Sequence, residues 1–205
     1  MDHVSLLAVD HPPDVSVLVD ERFVPSAKPE NRVIVAEHPR PLIEIRDHHG
    51  LPLDDALRSN DGVFADRFAL GGYQGIAEEH WVEFALPPEM ADDRPVLIIG
   101  RGWIYPTDSS LNVAIAQGSS EQPYGLKLER QDAGGSWQMV EGNLGFPAGK
   151  NKEVVIEIPR AALSASPRFR LRTNMEIYWD SLLCSHAQPD IAARVVRLET
   201  ETADL

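Results

Sequence analysis

The chain has 205 residues and a formal net charge of −13, from 32 acidic and 19 basic residues. Because no basic cluster offsets this charge, the sequence argues against binding to the phosphate backbone of a nucleic acid. It contains no run of about 18 apolar residues and therefore predicts no membrane-spanning helix. The single cysteine, Cys184, excludes an internal disulfide and is predicted to be a half-buried structural thiol.

The first fifty residues contain short apolar segments separated by turns that hold prolines. They predict strands at residues 6–9, 15–19, 32–36 and 42–46. These strands either belong to the main domain or form an N-terminal hairpin appendage over residues 1–50. Residues 59–75, rich in glycine, aspartate and aromatic residues, predict an ordered loop that lies on the domain.

Further strands are predicted at residues 81–86, 95–105, 111–115, 126–129, 137–140, 154–158 and 191–200. Residues 95–99 are almost wholly apolar, which predicts a central strand covered on both faces. The segment Asp132-Ala133-Gly134-Gly135 predicts a hairpin turn. About a dozen strands, without a helix longer than two turns, predict an all-β fold. We expect a single antiparallel β-sandwich domain over residues 1–205, of the jelly-roll or galactose-binding-like kind.

The segment from Phe169 to Asp180 shows the clearest alternation in the chain. Its odd positions are apolar apart from Thr173, and its even positions are Arg170, Arg172, Asn174, Glu176, Tyr178 and Asp180. Successive side chains of a strand point to opposite faces, so we expect Trp179 inside and Arg172 and Glu176 outside. A continuous strand of this length, kinked by a bulge near Asn174, is typical where a strand bends across a sandwich or changes sheet.

Four short segments of the sequence are similar to segments of a known protein family. They are Tyr73–Glu78 with His80-Trp81, Gly102-Trp103 with Ser109–Ala114, Gly145–Lys150, and Arg172–Asp180. Together they resemble the C-terminal region of large bacterial proteins that carry FG-GAP repeats and an ASPIC/UnbV segment. Those proteins are relatives of the cartilage acidic protein group. The resemblance spans most of the chain, from Leu6 to the end.

This resemblance implies a β-rich accessory region beside a propeller-like repeat domain in an exported protein. It implies contact with that neighbouring repeat domain or with another protein partner, and it supplies no established activity and no catalytic residues. The chain departs from the family in lacking the repeat domain and any Asp-x-Asp-x-Asp-Gly calcium loop. We therefore expect neither calcium nor another cofactor.

The polar positions of residues 170–180 form the first candidate site. Planar donors, carboxylates and an aromatic ring suit a ligand with hydroxyl groups, and the candidate residues are Arg172, Asn174, Glu176, Tyr178 and Asp180. The alternative is a solvated sheet face with cross-strand Arg–Glu pairs, each contributing well under about 1 kcal/mol. The sequence leaves both interpretations open.

The segment that begins at Trp103 forms the second candidate site. Trp103 and Tyr105 supply apolar platforms of the kind that bind the C–H faces of sugars, while Asp108 and Asn112 supply partners for hydroxyl groups. The alternative is a core tryptophan beside an ordinary turn.

Motifs of other chemistries are missing from the sequence. His48 and His49 are adjacent, the remaining histidines are scattered, and neither His-Glu-x-x-His nor a paired Cys motif occurs. The glycines of residues 71–75 lack the Lys-Ser/Thr of a phosphate loop, and no Gly-x-Ser-x-Gly elbow exists. We therefore expect no metal site and no enzyme.

The leading hypothesis is a non-catalytic β-sandwich accessory or interaction module of a larger exported protein. An alternative is a carbohydrate-binding module that uses Trp103 and Tyr105, or else the polar row through Tyr178. A further alternative is a hydrolase whose carboxylates come from distant parts of the sequence.

Overall fold

The computed structural model describes residues 6–25, 33–90, 92, 94–163, 167–189, 191 and 193–198. The strands are β1 (Leu6–Asp10), β2 (Ser16–Val19), β3 (Arg22–Phe23), β4 (Val33–Ala36), β5 (Arg40–Pro41), β6 (Ile43–Asp47), β7 (Ile76–Ala85), β8 (Val96–Ile104), β9 (Lys127–Gln131), β10 (Trp137–Glu141), β11 (Phe146–Pro147), β12 (Lys152–Ile158), β13 (Arg168–Met175), β14 (Ile177–His186) and β15 (Arg194–Leu198). The helices are α1 (Ser109–Ala116), α2 (Arg160–Leu163) and a 3₁₀ turn at Pro88–Met90. Among the described residues, no helix is long and apolar enough to cross a membrane.

Two antiparallel sheets build the body of the molecule, which confirms the predicted all-β sandwich. The five-stranded sheet has the order β10-β9-β13-β7-β6, and the four-stranded sheet has the order β12-β8-β14-β5. Their inner faces share one core, in which Phe84 and Phe169 of the first sheet lie with Ile98 and Ile156 of the second. The predicted hairpin at residues 132–135 joins β9 to β10.

A third layer covers part of the four-stranded sheet. Strands β2 and β4 pair with each other and form what we call the cover ribbon. Its Leu18 and Ala36 pack on Leu97 and Ile99 of β8, while the alternate residue Ile98 lies in the main core. Residues 96–99 of β8 are thus covered on both faces, as their apolar sequence predicts.

The segment from Phe169 to Asp180 passes from one sheet to the other. β13 ends at Met175 in the five-stranded sheet, and β14 begins at Ile177 in the four-stranded sheet. The pairing of β13 with β7 shifts register between Thr173 and Met175, which is the bulge predicted near Asn174. The odd positions are all buried, so the prediction that they face the core is confirmed.

The prediction for the even positions is wrong at Glu176, which was expected outside. Only 7% of this residue is exposed, and Asn174 and Asp180 are buried as well. Their polar groups bind other chain segments that cover this part of the strand. The alternation of apolar and polar residues therefore predicts correctly which side chains face the core. It does not show which of the polar side chains are covered by loops.

Glycines in β8 make room for the tryptophan at the sheet change. Gly100 and Gly102 lie against the ring of Trp179, which is 4% exposed. A Cβ added at Gly100 would lie 2.6 Å from the ring atom Cζ3 of Trp179. The two glycines of the sequence Gly-Arg-Gly-Trp therefore leave space, which we call the slot, for the indole of Trp179 on one face of the strand. The tryptophan of the same sequence, Trp103, lies on the opposite face.

Residues 111–115 were predicted to be a strand, and this prediction is wrong because they lie in α1. The carboxylate of Asp108 caps the helix, accepting hydrogen bonds from the backbone N–H groups of Ser110 and Leu111. Leu111 and Ala114 are three residues apart and are the buried face of the helix. Apolar residues at helical spacing and a capping aspartate outweigh the short alternation.

The remaining N-terminal strands are distributed over the molecule. β5 pairs with β14, β6 pairs with β7, and β3 pairs with β11. Strand β1 pairs with β15, and together they form what we call the terminal ribbon. The division of the chain into one domain, or one domain with an appendage over residues 1–50, stays a prediction.

The slot for Trp179 leads to a stability prediction. We expect Gly102→Ala to lower the free energy of unfolding by about 1–3 kcal/mol. An added Cβ would lie 2.4 Å from the carbonyl oxygen of Tyr178 and 2.9 Å from the Trp179 ring. Gly72→Ala is the control, because a Cβ there would have no atom within 4 Å. Urea unfolding measures both, and equal losses would contradict the close approach.

Candidate functional site

Glu176 fixes the point at which the chain changes sheet. Its backbone N–H donates to the carbonyl of Gly75 at 3.1 Å, and its own carbonyl accepts from the N–H of Tyr105 at 2.9 Å. Gly75 has φ +78°, and a Cβ there would lie 2.7 Å from the Tyr105 carbonyl oxygen. The three segments therefore meet with no room for a side chain at Gly75.

Aromatic rings gather where these segments meet. Tyr178 and Trp103 are a cross-strand pair of β14 and β8, stacked with ring centroids 4.5 Å apart and 14° between the planes. The Tyr105 ring is tilted beside Trp103 at 6.1 Å, and Phe64 meets Trp103 edge-on at 6.2 Å. Phe68 lies 5.2 Å from Tyr178. We call these five rings the aromatic cluster.

The aromatic cluster is partly exposed. Tyr105 is 41% exposed, and Phe64, Phe68, Trp103 and Tyr178 are half-buried. The ammonium group of Lys150 lies over the Trp103 ring, 5.7 Å from its centroid. The structure thus brings together Trp103 and Tyr105 from the second predicted site with Glu176 and Tyr178 from the first.

The phenol of Tyr178 has a fixed role in this cluster. Its hydroxyl donates a 2.6 Å hydrogen bond to Oε1 of Glu176. Burial raises the pKa of Tyr178, and the hydrogen bond to Glu176 raises it further. The phenol therefore keeps its proton at neutral pH, and its oxygen still has lone pairs that can accept from a ligand.

Residues 59–75 form the ordered loop that the sequence predicts, and they lie beside the first half of β14, before the residues that pair with β5. The N–H of Ala65 donates to the Trp179 carbonyl at 2.8 Å. The buried carboxylate of Asp180 accepts from the N–H groups of Asp61 and Gly62 at 3.2 and 2.9 Å. Asp180, a predicted ligand-binding residue, thus holds the loop that carries Phe64 and Phe68.

His80 packs against the aromatic cluster through Phe68. Its ring stacks on Phe68 with centroids 4.5 Å apart, and its Nδ1 lies 2.9 Å from the Glu78 carbonyl oxygen. Because a carbonyl only accepts, Nδ1 carries the hydrogen. A cavity of about 20 Å³ lies beside His80 and is also lined by His48 and Asp47. Burial lowers the pKa of His80, which is 7% exposed.

The outer face of the five-stranded sheet shows the cross-strand pairs that formed the alternative interpretation of the polar row. Glu129, which is 4% exposed, accepts from Arg170 and, at 2.6 Å, from Arg172. The guanidinium of Arg170 lies between the rings of Trp81 and Trp137, 4.6 Å from each centroid. These contacts occupy the arginines and stabilise the sheet itself.

A second carboxylate, that of Glu79 on β7, extends this network. Glu79 accepts from Arg172 at 3.1 Å and from the hydroxyl of Tyr124 at 2.5 Å. The hydrogen bond from Tyr124 lowers the pKa of Glu79. The side chain of Asn174 accepts from the N–H of Tyr124 and donates to the carbonyl of Gln122. Asn174 therefore anchors the segment before β9.

The remaining predicted site residues are Asp108, which caps α1, and Asn112, which lies on it. Oδ1 of Asp108 accepts from the N–H of Ser110 at 2.9 Å and from its hydroxyl at 2.5 Å, so this oxygen is occupied by the helix cap. Asn112 is exposed on the first turns of the helix. Cys184, predicted half-buried, is fully buried in the core, and burial raises its pKa to about 12.

Phe64, Phe68, His80 and Lys150 belong to the site but were not predicted as part of it. Residues 59–75 are aromatic-rich, which signals an ordered loop, yet its position depends on contacts with β14 that are distant in sequence, namely the bridge of Ala65 to Trp179 and the hydrogen bonds to Asp180. Lys150 comes from the turn before β12, and only the pairing of β12 with β8 brings it near Trp103.

Among the described residues, no group of three or more His, Cys, Asp or Glu side chains is arranged to hold a metal ion.

Comparisons of the chain with family models, with curated proteins and with solved structures found no match.

The burial of His80 leads to a pH prediction. The unfolded chain takes up a proton at His80 near pH 6.5, whereas the folded chain does so only at lower pH. The free energy of unfolding should therefore fall as the pH drops from 7.5 to about 5.5. We expect His80→Gln to reduce this fall, measured by urea unfolding at both pH values.

The exposed His11 gives the matched control. His11→Gln should leave the difference between the two pH values unchanged. An undiminished fall in the His80 variant would show that other groups cause the acid sensitivity.

Proposed function

We propose that the chain is a non-catalytic accessory module that binds carbohydrate at the aromatic cluster. The observation that carries this proposal is the convergence of Trp103, Tyr105 and Tyr178 on one partly exposed surface. Sugars bind to such surfaces because their C–H faces pack on aromatic rings while their hydroxyl groups bind polar atoms at the rim.

Polar groups at the rim of the cluster have the chemistry that hydroxyl groups need. The carboxylate of Glu176 accepts from Tyr178, whose oxygen can in turn accept from a ligand. The ammonium group of Lys150 supplies donors over the Trp103 ring. The rings of Trp103 and Tyr178 stack face to face on adjacent strands, so a ligand would contact their exposed edges together with the neighbouring ring of Tyr105.

Calorimetry against a panel of soluble oligosaccharides tests this proposal. We expect binding at millimolar or lower concentration and a loss of more than tenfold in affinity for Trp103→Ala, because truncating a central tryptophan removes the packing platform. Tyr105→Ala, at an exposed position, should weaken binding without a change in folding.

Trp137→Ala is the matched control, since Trp137 is half-buried on the other sheet and contacts Arg170. It should retain the affinity of the unsubstituted chain. Absence of binding by every oligosaccharide would remove the proposal, and loss of binding in the Trp137 variant alone would move the site to the five-stranded sheet.

A second candidate function is docking against a protein neighbour through the terminal ribbon. Its apolar residues are exposed: Leu6 is 64%, Leu198 is 43% and Val196 is 37% exposed. Isolated two-stranded ribbons are marginally stable in water, and exposed apolar patches are typical of interaction surfaces. The neighbour proposed from the sequence resemblance is a propeller-like FG-GAP repeat domain.

Hydrogen exchange tests this second function. Mixing the chain with a separately expressed FG-GAP repeat domain should slow the exchange of amides in β1 and β15. The double variant Leu6→Lys/Leu198→Lys should lose this protection, because lysine side chains resist burial in the interface. Val113→Lys, at a 54% exposed position of α1, should keep it. Unprotected ribbon amides in the mixture would contradict docking at this ribbon.

A further inference from the structure

We infer that the carbohydrate bound at the aromatic cluster carries a negative charge, as a carboxylate or sulfate group. This inference rests on the proposed carbohydrate-binding function and names the class of its ligand. Its basis is the exposed cation Lys150, whose ammonium group lies over the ring of Trp103.

Lys150 is directed at the ring that the ligand would contact. Its ammonium group lies 5.7 Å from the centroid of Trp103, and its residue is exposed. Within the described residues, no carboxylate lies within 4.0 Å of this ammonium group. A ligand that packs on the edge of Trp103 therefore meets a positive charge that no acidic side chain neutralises.

Arg101 lies on the same face of β8 as Trp103, but its charge is engaged within the fold. It precedes Trp103 by two residues, which is about 7 Å along the strand. Its guanidinium group interacts electrostatically with the carboxylates of Glu21 and of its cross-strand neighbour Glu153. Lys150 is therefore the cation that is left for a ligand on the Trp103 ring.

Many other cations of the fold are used differently. Ion pairs with carboxylates engage Arg22, Arg67, Arg94, Lys152, Arg170 and Arg172. The chain has 32 acidic residues for 19 basic ones, so a carboxylate partner for one more cation would be easy to supply. Leaving Lys150 exposed beside Trp103 instead puts a positive charge at the aromatic cluster of a negatively charged molecule.

An acidic sugar satisfies both parts of this surface. Its ring packs on the aromatic side chains, and its carboxylate or sulfate binds the ammonium group of Lys150 in a charge-assisted hydrogen bond. The net charge of −13 does not prevent this, because charges beyond about 8 Å are largely screened at physiological salt.

The test compares ligands that differ only in charge. Oligogalacturonate is measured against its methyl-esterified form, and a sulfated galactan oligomer against its desulfated form, all by calorimetry. We expect the charged member of one pair to bind at least tenfold more tightly than its neutral counterpart. The advantage should shrink as salt is raised, and the pair that shows it identifies a carboxylate or a sulfate.

Variants then assign the charge to its source. Lys150→Met keeps the aliphatic chain over Trp103 and removes the charge, so it should weaken binding of the acidic oligomer about tenfold and leave the neutral oligomer unchanged. Arg101→Gln should have a smaller effect, because the carboxylates of Glu21 and Glu153 already interact with its charge. Lys127→Met is the matched control, because Lys127 also lies over a ring, that of Tyr124, on the other sheet.

The outcomes separate this inference from the function on which it rests. If neutral oligomers bind as tightly as acidic ones, or if Lys150→Met and Lys127→Met behave alike, the inference is overturned. Carbohydrate binding then still stands, provided that Trp103→Ala abolishes it. If no oligomer of either kind binds, the function and the inference fall together.

Discussion

The passage of one segment between two sheets at Glu176 is the constraint on which the rest of the molecule depends. β13 and β14 are interior strands of their sheets, and only this residue lies between them. Its N–H and carbonyl bind Gly75 and Tyr105, so the position of the crossing is fixed on both sides. Tyr178 follows two residues later and is thereby brought against Trp103.

The buried polar residues and the exposed rings around this crossing have separate roles. Asp180 and Asn174 hold loops by binding their backbone groups, and Arg170 and Arg172 neutralise the buried Glu129. A buried carboxylate must be paired in this way, because an unpaired one costs several kcal/mol. These groups are occupied within the fold, whereas the aromatic cluster and the ammonium group of Lys150 are partly exposed to solvent.

Much of the fold follows from the sequence, because alternation and turn residues act locally. The buried odd positions from Phe169 to Trp179, the burial of residues 96–99 of β8 on both faces and the hairpin at Asp132 are of this kind. The helix at residues 109–116 was missed because five residues of alternation imitate a strand, although Asp108 is a capping signal. The site could be predicted only in part, since the stacking of Trp103 on Tyr178 requires the register of two strands distant in sequence. The contributions of Phe68 and Lys150 depend on where a loop and a turn settle on those strands.

The slot for Trp179 gives the molecule a built-in optical reporter. The indole lies against Gly100 and Gly102 and is surrounded by the shared core, so its environment is rigid and asymmetric. A chromophore held in this way contributes to the near-ultraviolet circular dichroism only while side-chain packing is intact. If the near-ultraviolet signal is lost while the far-ultraviolet spectrum is retained, the two sheets have separated from each other but each keeps its backbone hydrogen bonds.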